Sequence, residues 1–145
     1  MKKFILILSI IFAFPVNAQE EITENKIQSQ INSVLKICGP NITDEYVPDL
    51  VLSQQYANSA VCIEEQIKVK ARNIFDEKIY DNFQKTLHQT SREYLKIVTY
   101  LNEKNIDNDK FAGTLDRLNT QIEWYNFLVT IMKQVIYQQQ MIENE

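Results

Sequence analysis

After Asp49 the chain contains no proline and a single glycine, Gly113. Tight turns that need a positive φ are therefore nearly excluded from most of its length. Asn-Gly and Asp-Gly pairs, the usual two-residue hairpin turns, are absent, so strands would lack their punctuation. What remains is helical periodicity. The chain reads as all-α, a three- to four-helix up-down bundle.

The strongest pattern lies between Tyr80 and Met132. Tyr80, Phe83, Leu87, Thr90, Tyr94, Ile97 and Leu101 alternate steps of three and four, and so do Phe111, Leu115, Leu118, Ile122, Tyr125, Val129 and Met132. Such spacing is the seam of a coiled-coil-like helix pair. The polar run from Asn102 to Asp109 separates the two halves. Folding the chain back at Ile106 sets Leu101 against Phe111, Ile97 against Leu115, Tyr94 against Leu118, Phe83 against Val129 and Tyr80 against Met132. The expectation is a long antiparallel hairpin of helices at about 59–104 and 108–143. The steps at Phe75, Ile79 and Phe83 read as a stutter within one continuous helix, since no Gly or Pro marks the spot. A break near Asp76-Glu77-Lys78 is the alternative and would give four helices.

Upstream, Ile27, Ile31, Val34, Leu35 and Cys38 share one face of a first helix from about Ile22 to Cys38, which Gly39 and Pro40 stop. Pro48 suits the first turn of a short helix reaching Tyr56. Asn58 or Ser59 would then cap the next one.

The N-terminus reads as an export signal. Lys2 and Lys3 precede the apolar stretch Phe4–Phe14, and Pro15 and Val16-Asn17-Ala18 complete a cleavage site. Eleven apolar residues rise only ~16 Å as a helix, about half of a ~30 Å hydrocarbon core, so this is not a span. Residues 1–18 are thus a signal peptide and 19–145 a single helical domain, periplasmic or extracellular. Gln19 rather than Cys follows the cut, so no lipid-bearing cysteine begins the mature chain. Removing the leader leaves 13 basic and 19 acidic side chains, a net charge of −6. An acidic surface lacks the basic field that nucleic acids or anionic lipids require.

Cys38 and Cys62 are the only cysteines and His88 the only histidine. In an exported chain the two cysteines are expected to pair, stapling the N-terminal helix to the second and contributing ~3 kcal/mol on the chain-entropy model. A metal site would lack ligands, and no cofactor is implied.

The usual catalytic motifs are missing. Ser91 lies one turn from His88, but without the strained turn that exposes a nucleophile. Acid pairs such as Glu64-Glu65 point apart on a helix and read as solvated. The chain is therefore expected to be non-catalytic, a binding or assembly module acting through protein–protein contacts in an envelope or secretion apparatus. The alternative is a secreted helical effector or membrane-active toxin, the one reading that involves membrane contact. The candidate site is a second apolar stripe on the last helix, Trp124, Leu128, Ile131, Val135 and Ile142. Either residues 44–58 cover it as core, or Trp124, Leu128 and Ile131 bind a partner or a second copy, with Trp124 as anchor.

Thiol titration of the native protein checks the pairing. No free thiol should react without reductant, and both should react once the protein is reduced.

Overall fold

The computed structural model describes residues 20–43, 45–104 and 112–143. The leader expected over 1–18 and the turn around Ile106 lie outside the described residues. The described residues form four helices: α1 (Glu20–Cys38), α2 (Asp49–Ala71), α3 (Glu77–Lys104) and α4 (Ala112–Glu143). Among the described residues there is no strand. The all-α bundle with a disulfide to its N-terminal helix is the architecture observed.

α1 ends as its sequence requires. The Gly39 N–H donates to the Leu35 carbonyl at 2.7 Å, and a Cβ at residue 39 would collide with that carbonyl oxygen. α2 begins at Pro48, whose carbonyl accepts the N–H groups of Val51 and Leu52. It then runs unbroken to Ala71. The expected boundary at Asn58 or Ser59 does not exist, because Ala57, Ser59 and Ala60 continue the buried face.

The helix expected to be continuous over 59–104 is two helices. Asp76 supplies the missing stop signal, since its Oδ1 accepts the Ile79 N–H at 3.0 Å and caps α3. Phe75, just before the cap, packs on Phe83 with ring centroids 5.2 Å apart. The stutter is a capped break.

Helix directions follow from the cross-contacts. Cys38 with Cys62 and Gln30 with Lys70 make α1 antiparallel to α2. Glu64 with Ser91 and Phe75 with Phe83 make α3 antiparallel to α2, and Asn102 with Thr120 and Ser91 with Trp124 make α4 antiparallel to α3. α2 and α4 therefore run parallel, yet they form the most extensive contact in the molecule. Tyr56 meets Tyr125 edge-on at 5.5 Å. Equal steps down both helices from that pair bring Ile63 level with Met132 and Ile67 with Ile136, all fully buried. The bundle is flattened onto this diagonal. Ser53, Ala60 and Ala71, small and buried on α2, let the two axes approach.

The register of the α3–α4 hairpin also differs from the expected one. Tyr94 stacks on Phe127 at 4.2 Å, more than two turns along α4 from Leu118. The seam of α3 is Leu87, Ser91, Tyr94, Val98 and Asn102, while Ile97 and Leu101 are 58% and 54% exposed. Those steps average about 3.75 residues, longer than the 3.5 of a left-handed supercoil. Polar Ser91 and Asn102 belong to the seam because α4 offers them hydrogen bonds.

Ala60→Leu should destabilise the fold by about 1–3 kcal/mol by wedging α2 from α4. Val61→Leu, on the exposed neighbour, should stay within ~0.5 kcal/mol of wild type. Urea unfolding of both variants measures the difference.

Candidate functional site

The sequence-based candidates fall into two groups. Cys38 and Cys62 form the expected disulfide, with Cα atoms 5.4 Å apart. Trp124, Leu128 and Ile131 do not form an open surface. Trp124 is 3% exposed and Leu128 0%, and Ile131 packs half-buried against the same core. α3 covers Trp124, while α2 shares the more extensive contact with α4. The Trp124 indole Nε1–H donates to Ser91 Oγ at 2.8 Å, and the Arg92 guanidinium lies over its ring, 5.8 Å from the centroid. In this fold Trp124 and Leu128 are interior and Ile131 is half-buried.

Behind Trp124 lies a buried polar cluster that spacing alone did not reveal. Ser91 Oγ, fully buried, donates in turn to Glu64 Oε2 at 3.3 Å. Glu64 Oε1 lies 3.2 Å from His88 Nδ1 and 3.2 Å from Lys68 Nζ. An ionised carboxylate only accepts, so the imidazole proton facing it sits on Nδ1. Burial alone would raise the Glu64 carboxyl. Hydrogen bonds from His88 and Lys68, with the Lys68 charge, more than offset that and hold it below its ordinary value of 4.5. The chain of bonds Trp124–Ser91–Glu64 thus ties α4 to α3 and α3 to α2.

Glu64 and Glu65 do point apart, but only Glu65 is solvated, with a 62% exposed side chain against 8% for Glu64. The signal available in the sequence was Trp124 itself, because a buried indole N–H needs an acceptor.

Chemically, the cluster is a brace. Serine, histidine and glutamate are present, but Ser91 is sealed from solvent and directs its proton to Glu64. A nucleophile must face its substrate. A depression of about 430 Å³ is lined by Asn25, Gln28, Ser29, Asn32, Ser33 and Lys36, all from α1. With no second element for a wall, it cannot enclose a ligand. Among the described residues no group of His, Cys, Asp and Glu side chains is arranged to hold a metal ion.

No protein-family model matches the chain, and no characterised protein or solved structure matches it significantly.

Glu64→Gln should cost about 1–3 kcal/mol at neutral pH, because it weakens three charge-assisted contacts in a buried site. A depressed folded-state pKa stabilises fully above the unfolded value of 4.5 and is lost as pH falls through the folded value. The gap between wild type and variant should therefore be constant above about pH 5 and close as the pH falls below it. Denaturant midpoints measured across pH 2–7 follow the closure.

Proposed function

We propose that this chain is an exported, non-catalytic helical module that works through protein–protein contacts, as a binding or assembly component of an envelope or secretion apparatus. Three features support export. Residues 1–18 have the pattern of a cleavable leader, the paired cysteines suit an oxidising compartment, and among the described residues no helix is long and apolar enough to cross a membrane.

The observation that carries the binding role is where large apolar side chains remain exposed. At the apical end α2 begins, and α3 and α4 approach the residues that join them, whereas α1 ends lower, with Cys38 beside Cys62 midway along α2. Tyr46, Leu50 and Val51 are exposed on the first side of the apical half, with Tyr46 at 89%, while Ile37 and Val61 are exposed at mid-height beside the disulfide. Ile97, Tyr100, Leu101 and Leu115 are exposed on the second. The opposite half, around the α2–α3 link, shows only Val69, Ile79, Met141 and Ile142 among the described residues. Single exposed apolar residues are ordinary, whereas their concentration at one end is the mark of a contact surface. Ile97 and Leu101 lie one turn apart on α3 and present a helical edge. The acidic charge favours a protein surface over an anionic membrane.

A pair of surface variants tests this reading. Ile97→Ser with Leu101→Ser should leave the circular dichroism spectrum and melting temperature nearly unchanged while abolishing cross-linked capture of a partner from the native envelope fraction. Val69→Ser with Ile79→Ser, at the other end, should retain capture. Equal capture by all forms would remove the apical assignment, and leakage of dye from liposomes would favour the effector or toxin reading.

A further inference from the structure

We propose that α1 is a redox-held latch, docked over the α2–α4 pair by the Cys38–Cys62 bond and released as a unit when a dithiol reduces that bond. The idea rests on how unevenly the four helices are held. α2 and α3 each share with α4 more contact than α1 shares with any helix. The seat of α1 consists of Ile31 and Val34, buried, with Ile27 and Leu35 half-buried. Its other ties lie near the surface. Lys26 reaches Glu143 at 3.5 Å between side chains 54% and 43% exposed, and Lys70 donates to Gln30 at 3.4 Å.

The other three helices are locked without α1. Trp124–Ser91–Glu64, Tyr94 on Phe127 and Asn102 to Thr120 all join α2, α3 and α4 to one another. The outer face of α1 is polar, with Gln28, Ser29, Asn32 and Ser33, so undocking newly exposes only the apolar seat of Ile27, Ile31, Val34, Leu35 and Cys38. Residues 39–48 keep it tethered.

The chemistry has a defined direction. Cys38 is 3% exposed, whereas Cys62 is half-buried, so Cys62 is the less enclosed of the two residues. A thiolate of the dithiol attacks Cys62 Sγ, the S–S bond breaks, and Cys38 leaves as a thiolate that takes up a proton. The second thiol of the reductant then attacks its own sulfur in the mixed disulfide. Cys62 is released and protonated, and the reductant closes to a disulfide. Two electrons and two protons pass from the dithiol to the protein. With the loop constraint gone, the opening equilibrium of α1 shifts by roughly a hundredfold. Opening uncovers the side of the α2–α4 pair that carries Cys62 and Lys70. The latch is independent of the apical docking surface, and either can fail without the other.

Hydrogen exchange by mass spectrometry on the full mature chain, with and without dithiothreitol, tests the latch. On reduction, amides of Glu20–Cys38 should exchange roughly a hundredfold faster, while those around Ile63–Ile67 and Leu128–Ile136 keep their protection. The double variant Cys38→Ser, Cys62→Ser should show the reduced pattern without reductant. Unchanged protection of α1 on reduction would overturn the proposal. So would simultaneous loss of protection in α2 and α4, or failure of the double variant to fold, because α1 would then be integral to the core.

Discussion

The close parallel contact of α2 with α4 sets the rest of the structure. In an up-down bundle these helices are diagonal partners, usually held apart by the side chains filling the centre. Here Ser53, Ala60 and Ala71 on α2 remove that filling, and large residues of α4 such as Leu128, Met132 and Ile136 occupy the space. Flattening along this diagonal pushes α1 and α3 to opposite flanks. Each flank of α2 then needs its own attachment. Cys62 and Lys70 serve the α1 side, and Glu64 serves the α3 side.

The two attachments differ in kind. The disulfide holds α1 covalently, mainly by limiting the freedom of the unfolded chain. The Glu64 cluster holds α3 by orientation. A carboxylate withdrawn from water is costly unless its lone pairs are filled, and three donors converge on this one. Removing any of them would leave part of that cost uncompensated. Trp124 completes the arrangement because its indole N–H finds Ser91, which makes the largest side chain of the core a registration point for α4 against α3.

Much of this was legible in the residues. The scarcity of Gly and Pro after Asp49 points to the helical class, Gly39-Pro40 to the end of α1, and the cysteine count with a leader-like N-terminal pattern to the disulfide. The failures share one cause. Apolar spacing was followed where polar residues decide the packing. The expected seam runs through Thr90, Ile97 and Leu101, whereas the buried positions are their neighbours Ser91, Val98 and Asn102, and the hairpin register moves with that one-residue shift. The break at Asp76 stands only as the alternative in the sequence because it depends on a side-chain cap and no Gly or Pro marks it. Likewise, Glu64 looked like one of a solvated acid pair until α3 was set against it. The Trp124 stripe was correctly seen as too broad for one seam. Trp124 finds its partner Ser91 on a shifted α3, however, whose register the apolar pattern did not encode.

The account stands or falls on the α2–α4 contact, and methyl NOEs measure it most directly. The flattened bundle predicts cross-peaks from Ile63 and Ile67 methyls to Met132, Val135 or Ile136. A continuous antiparallel hairpin folded at Ile106 would carry Ile63 beyond the end of α4. A spectrum in which Met132 sees Tyr80 but neither Ile63 nor Ile67 would contradict the fold described.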